Sequence, residues 1–206
     1  PPTYDGMGRL WLADVAPGGG RVWTLETSVG QAEPVSVGWL GGRLPVALAV
    51  SRDSTRVALV STDAGGAEPR LDIAGVVRDA GGRPIALAKP YRQAEPLARI
   101  IDVTWLDDTT LAALGSLSAG EATRPFVVEL GQGIGLRRRG TADPEQQLLP
   151  PVSGATGLAG VSSPRGIVVL TALPSVLVRL GSSWRRVGEA TGFALVPVTA
   201  SFASGR

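Results

Sequence analysis

One local pattern returns along this 206-residue chain at a spacing that few architectures share. An apolar strand runs into an Asp-containing turn and a second apolar strand leaves it. The copies are Thr3-Tyr4-Asp5-Gly6-Met7-Gly8-Arg9-Leu10-Trp11, Ser51-Arg52-Asp53-Ser54-Thr55-Arg56-Val57-Ala58 and Trp105-Leu106-Asp107-Asp108-Thr109-Thr110-Leu111-Ala112. Asp5 and Asp53 are 48 residues apart, Asp53 and Asp107 are 54 apart, and a weaker copy at Ser162-Ser163-Pro164-Arg165-Gly166 follows at a similar interval. Asp and Gly suit such a turn because they tolerate its backbone angles, and the Asp carboxylate can accept a hydrogen bond from an amide two residues on. A unit of about 40–50 residues holding four strands is the period of a β-propeller blade.

The rest of the chain reads the same way. Alternating apolar runs, each ended by Gly, Pro, Asp or Ser, predict strands at Arg9–Val15, Arg21–Thr27, Pro34–Leu40, Pro45–Ser51, Arg56–Thr62, Arg70–Arg78 and Pro84–Pro90. Further runs lie at Arg99–Leu106, Thr110–Leu117, Phe126–Leu130, Gly135–Arg139, Gly157–Ser162, Gly166–Leu173, Ser175–Leu180 and Trp184–Ala190. The expected fold is all-β, a β-propeller of four-stranded antiparallel blades at about 1–42, 43–97, 98–150 and 151–192. One such sheet cannot bury two apolar faces alone, so neighbouring blades must cover them. Pro45-Val46-Ala47-Leu48-Ala49-Val50 reads as an innermost strand whose small residues let blades converge. The first blade is expected to lack that strand, and Phe193–Val198 reads as a lone trailing strand, together suggesting an incomplete, C-terminal portion of a ring. The start at Pro1, without an initiator Met, points the same way. A β-sandwich of about 14 strands, or two small barrels, is the alternative.

Composition narrows the chemistry. With 44% hydrophobic residues the chain can build a core, and 28 Gly with 16 Pro suit many short elements joined by turns. Cys, His and Asn do not occur, which excludes disulfides, Cys/His zinc sites, His general bases and N-glycosylation within this sequence. The net charge is only +2, which argues against a nucleic-acid partner. Lys89 is the one lysine. No apolar run reaches 18 residues and no signal peptide is present in this sequence.

Candidate sites are few, and no catalytic, cofactor or metal residue is expected. Gly131-Gln132-Gly133-Ile134-Gly135 resembles a phosphate loop in composition, but a short strand rather than a helix is expected to follow it, which favours a Gly-rich hairpin. Arg137, Arg138 and Arg139 are the candidate partner-binding residues, since Arg favours bidentate contacts to carboxylates; a solvated outer strand is the plainer reading. Arg185-Arg186 is a second pair of this kind. Asp102, Asp107 and Asp108 form the densest carboxylate group, read as strand-end and turn residues rather than a glycosidase pair. Gly160-Val161-Ser162-Ser163-Pro164 lacks nucleophile-elbow spacing. Trp11, Trp23, Trp39, Trp105 and Trp184 read as blade-packing residues rather than sugar platforms.

Pro2-Thr3-Tyr4-Asp5 with Gly8-Arg9-Leu10-Trp11-Leu12-Ala13-Asp14, then Val50-Ser51-Arg52-Asp53 with Thr55-Arg56-Val57-Ala58, and Asp102-Val103-Thr104-Trp105-Leu106-Asp107-Asp108-Thr109-Thr110-Leu111 together resemble the C-terminal propeller of the actinobacterial LpqB lipoproteins. The resemblance is strongest from Pro1 to Leu117 and weaker after Gly140. It implies a protein anchored by lipid to the outer face of the cell membrane, with its signal peptide, lipid anchor and N-terminal domains outside this chain. It further implies a non-catalytic interaction module that modulates a two-component system, its partner being the extracytoplasmic domain of an MtrB-like sensor kinase whose response regulator is MtrA. The alternative function is a glycan-binding or glycan-processing propeller acting on cell wall.

Overall fold

The apolar runs pair into sheets in the order in which they occur along the chain. The computed structural model describes residues 2–93, 97–131, 133–134, 152, 154–162, 167–180 and 183–192. The first sheet holds β1 (Thr3–Tyr4), β2 (Arg9–Ala16), β3 (Gly19–Glu26) and β4 (Gln31–Val35), in that order. The second holds β5 (Leu44–Val50), β6 (Arg56–Thr62) and β7 (Arg70–Arg78), with the outer place shared by β8 (Pro84–Leu87) and β9 (Tyr91–Gln93), both paired to β7. The third holds β10 (Arg99–Trp105), β11 (Thr110–Ser116), β12 (Arg124–Glu129) and β13 (Gly133–Ile134). The fourth holds β14 (Leu158–Ser162), β15 (Val168–Ala172), β16 (Ser175–Leu180) and β17 (Ser183–Glu189). Every strand pair within these sheets is antiparallel, and no helix occurs among the described residues. The fold is a β-propeller.

Stacking explains why the second strands read as unbroken apolar runs. Along β6, Val57 and Leu59 join Trp11, Val22 and Val35 of the first sheet, while Ala58 and Val60 join Val103, Trp105 and Leu111 of the third. Along β11 the alternation repeats: Leu111 and Ala113 face the second sheet, Ala112 and Leu114 the fourth. Side chains on successive residues point to opposite faces, so a strand buried on both sides must be apolar at every position. Burying one such leucine stabilises by roughly 1.5–3 kcal/mol. Ala47, Ala49 and Ala58 thin the second sheet where it meets Trp105. The first strands β1, β5, β10 and β14 lie successively side by side, which makes them the inner strands.

The outer rim is also joined between the first two sheets. Ser36, just past β4, donates its amide to the Ile85 carbonyl at 2.9 Å and accepts the Leu87 amide at 2.9 Å, a single parallel bridge to β8. Arg83 meets Glu33 at 2.9 Å beside it.

Several strand boundaries differ from expectation for physical reasons. The strand expected at Pro34–Leu40 ends at Val35 and begins earlier, at Gln31; Pro34 is tolerated because β4 is an outer strand with a free edge. After it the chain turns twice, and Leu40 drops into the core between the first two sheets. The inner place of the first sheet is not empty, because Thr3–Tyr4 fills it as a two-residue strand against Leu10 and Trp11. The run expected at Pro84–Pro90 breaks after Leu87: Ala88 donates its amide to Gly75, and Pro90, which has no amide to give, precedes β9. Phe193–Val198 and Gly135–Arg139 lie outside the described residues.

Candidate functional site

The repeated turns lie at equivalent places. Asp5 sits between β1 and β2, Asp53 between β5 and β6, and Asp107 between β10 and β11, each joining the inner strand of a sheet to the next one outward. Their rungs differ. The backbone closes each hairpin through Asp5 N to Arg9 O at 3.0 Å, Ser51 N to Arg56 O at 2.9 Å and Leu106 N to Thr110 O at 2.8 Å. Asp5 therefore corresponds to Ser51 and Leu106, not to Asp53 and Asp107. Its Oδ1 accepts the amides of Met7 and Arg9, both at 2.9 Å, and Ser51 Oγ accepts the Arg56 amide at 2.9 Å in the same manner. Asp53 and Asp107 instead hold the turn from outside, accepting the amides of Thr55 at 3.1 Å and Thr109 at 3.0 Å. Burial alone would raise both carboxyls; hydrogen bonds from Ser51 and Thr55 at Asp53, and from Thr109 and Thr110 at Asp107 with nearby Arg179, outweigh it and leave both below the usual carboxylate value.

Arginines carry these turns from one sheet to the next, forming a belt on one face of the stack. Arg78 of β7 donates to the Ser54 carbonyl at 2.8 Å and lies 3.7 Å from Asp5 Oδ2 in the first sheet. Arg56 donates to the Asp108 carbonyl at 2.8 Å and stands over Trp105, and Arg179 of β16 reaches Asp107 at 3.4 Å while lying 5.8 Å from the Trp184 ring centroid. Arg52 spans further, to the Ser162 carbonyl of the fourth sheet at 3.1 Å.

A second link joins the inner strands. A register shift between Ile100 and Asp102 turns the Asp102 carboxylate toward β14, where Oδ2 accepts the Leu158 amide at 2.8 Å while Oδ1 accepts the Val103 amide at 2.9 Å. Thr104 Oγ1 accepts the Gly160 amide at 3.0 Å. An inner strand has one unpaired edge, and these two side chains satisfy the amides it leaves over. Gly160 is required for the approach, since a Cβ there would stand 2.7 Å from the Trp105 carbonyl oxygen. Burial raises the Asp102 carboxyl above its usual range, against the two amide hydrogen bonds. Trp105 adds a third tie, Nε1 to the Ala49 carbonyl at 3.2 Å. Neither link was visible in sequence, where Asp102 and Thr104 are separated from their partners by 56 residues.

The other sequence candidates disperse. Asp102 faces β14 and Asp107 holds a turn, so they form no opposed carboxylate pair. The Gly131 segment continues from β12 into antiparallel β13, a hairpin and not a strand-to-helix phosphate loop. Arg137, Arg138 and Arg139 lie outside the described residues. Arg185 and Arg186 are exposed on β17, and Arg186 pairs with Glu189. Trp11 is buried with Nε1 on Asp5 Oδ2 at 3.0 Å; Trp39 and Trp184 pack against the cores between sheets, and Trp23 reaches Asp14 at 3.3 Å. No group of three metal-capable side chains occurs among the described residues. A shallow hollow of about 330 Å³ at the end of the fourth sheet is lined by Thr156, Leu173, Pro174, Glu189 and Ala190, with one carboxylate and no cation.

Residues 1–200 match the family model described as the lipoprotein LpqB beta-propeller domain. The chain belongs to the LpqB β-propeller family. Lipoprotein LpqB of Streptomyces coelicolor is 29% identical over 196 residues, covering 93% of this chain and 30% of that protein. Lipoprotein LpqB of Streptomyces avermitilis is 26% identical over 129 residues, covering 61% and 21%. The chain thus spans under a third of the length of the LpqB relatives it matches. Among solved structures, TolB from Acinetobacter baumannii superposes with a TM-score of 0.54 at 12% identity over 91% of this chain and 43% of TolB, a likeness of fold.

Proposed function

We propose that this LpqB propeller segment is a non-catalytic, extracytoplasmic protein-interaction module of a lipoprotein, held at the outer face of the cell membrane by a lipid anchor outside this chain. Its partner is the extracytoplasmic domain of an MtrB-like sensor kinase, whose signalling it biases by binding. Family membership supports the lipoprotein setting. The observation that carries the non-catalytic reading is the use made of the carboxylates. Asp5, Asp53, Asp102 and Asp107 spend their oxygens on backbone amides, on turn hydroxyls and on arginines from neighbouring sheets. Groups so occupied hold a scaffold rigid and leave the loops between strands to recognise a partner. A stable complex would bury about 1,600 Å², a transient one less.

The cell-wall glycan alternative gains no support here, because sugar recognition calls for open aromatic faces and Trp11 and Trp105 are buried between sheets. The test is direct binding of the purified kinase domain to this chain by biolayer interferometry, with glycan fragments as the comparison. Saturable binding of the kinase domain alone supports the proposal; saturable binding of glycan alone removes it.

A further inference from the structure

In the second and third sheets the arginines divide by end. At the end that carries the Asp turns each has a partner: Arg52 reaches the Ser162 carbonyl, Arg56 the Asp108 carbonyl, Arg78 the Ser54 carbonyl and Asp5, and Arg83 both Glu33 and Asp79. At the opposite end Arg70 opens β7, Arg92 lies on β9 opposite Asp72, Arg99 opens β10 and Arg124 opens β12. Among the described residues Arg92 and Arg99 are exposed and make no hydrogen bond or salt bridge. The carboxylates described at this end are already engaged. Asp63 accepts the amides of Ala67 at 2.7 Å and Glu68 at 3.3 Å, Glu121 accepts the Leu117 amide at 3.2 Å and pairs with Arg124 at 3.5 Å, and Glu68 pairs with Arg70 at 3.8 Å. Asp72 feels the charge of Arg92, Arg70 and Arg43, but it is only 7% exposed and burial moves its carboxyl toward the neutral form. Arg43, pinned to Ser61 and to the Glu68 carbonyl, has its basicity lowered by burial and then by the like charge of Arg70. Guanidinium groups thus crowd this end while the acids there leave two of them without a counter-charge in contact.

We infer that this end of the second and third sheets is a docking surface for an acidic segment of a partner protein, whose carboxylates are received by Arg92 and Arg99. The inference rests on the reading of the chain as a partner-binding module and adds where it binds and by what chemistry. Charge complementarity names the occupant, because an arginine fork without a partner is matched by a carboxylate in bidentate geometry. Tyr91, 45% exposed beside Arg92 on an outermost strand, adds an aromatic of the kind that joins arginine at binding hot spots. A protein fits this surface better than a membrane does. The Glu68 side chain is 70% exposed next to Arg70, and a surface of mixed sign can match a protein's pattern of charges but opposes a uniformly anionic lipid sheet.

The test measures binding of the kinase domain, of a short Glu-rich peptide and of phosphatidylglycerol vesicles to a soluble form of the whole lipoprotein. The forms compared are the unaltered protein, Arg92→Glu with Arg99→Glu, Arg92→Lys with Arg99→Lys, and Arg52→Glu at the Asp-turn end. The double reversal is expected to weaken binding of the kinase domain about tenfold or more, chiefly by slowing an association that added salt also slows. The lysine pair, which keeps the charge, should cost about threefold or less, and Arg52→Glu should stay within about twofold. Equal kinase affinity for every form would overturn the inference and leave the partner-binding reading standing. If the kinase domain binds no form, the kinase reading fails and the peptide decides: about tenfold weaker peptide binding by the double reversal upholds the inference, and equal or absent binding overturns it. Vesicle binding that the reversal abolishes, with no peptide bound, also overturns it and names a membrane instead. Should the double reversal fail to fold, Arg92→Gln and Arg99→Gln are compared singly, each expected to weaken binding about threefold; no effect from either overturns the inference.

Discussion

Replacing Asp5 by asparagine isolates what the buried turn carboxylate contributes. Asp5 is 2% exposed, and its two oxygens serve different donors: Oδ1 takes the amides of Met7 and Arg9, Oδ2 the Trp11 indole at 3.0 Å. Asparagine keeps an oxygen for the amides but turns an NH₂ toward the indole N–H, donor against donor. One charge-assisted hydrogen bond is lost, an indole N–H is orphaned in the core, and Arg78, 3.7 Å away, loses its anion. These sum to about 2–4 kcal/mol, and Asp5→Ala, which orphans all three donors, to about 3–5 kcal/mol. A domain stable by roughly 5–15 kcal/mol would lose a large share. The assay is urea unfolding followed by a double-mutant cycle with Trp11→Phe, which removes the indole donor. In that background Asp5→Asn should cost about 2 kcal/mol less than alone. A cost below about 0.5 kcal/mol, or an equal cost in both backgrounds, would show that the Asp5 carboxylate does not hold the Trp11 indole in this way.

Four further outcomes are expected. Leu59→Ala, at a fully buried site between the first and second sheets, should cost about 3–4 kcal/mol at unchanged denaturant slope. Gly160→Ala should cost about 1–3 kcal/mol, because its Cβ meets the Trp105 backbone oxygen. Asp72, opposite Leu59 and Arg92, has its carboxyl raised by burial against the pull of Arg92, Arg70 and Arg43. The native state holds that proton more tightly than the unfolded chain does, so its contribution is favourable at low pH and is lost as pH rises through the carboxylate range toward the raised value. Asp72→Asn should therefore lessen that fall and leave the protein at least as stable at pH 7, measured by urea midpoints from pH 4 to 7. Asp53→Ala acts with the opposite sign: its lowered carboxyl contributes at neutral pH and the contribution vanishes below the usual carboxylate value, so mutant and parent should converge in acid.

The blade period was legible because it is written locally. Each Asp turn lies between two apolar runs, and strands such as Arg56–Thr62 match their sequence-based bounds. What failed was whatever depends on a neighbouring sheet. Pro34 and Leu40 looked like one strand because both flank apolar residues, yet Leu40 is drawn into the core between sheets and the chain must turn to place it. The equivalence of Asp5 with Ser51 rests on which amide closes the hairpin, and a turn one residue longer hides it from any alignment of Asp with Asp. Asp102 as a clamp between β10 and β14 depends on a register shift and on a partner 56 residues away. The turns were read correctly as turns, but the arginine belt that ties them together joins residues of different blades and has no local signature.

The proposed kinase partnership is tested by measuring the affinity of the MtrB-like kinase domain for three forms of the whole lipoprotein. They are the unaltered protein, a form lacking this segment, and one in which Arg137, Arg138 and Arg139 are changed to Glu. The proposal expects affinity to fall at least tenfold when the segment is removed, and expects the charge reversal to slow association and flatten its salt dependence with a modest effect on dissociation. Equal affinity for all three forms would contradict it.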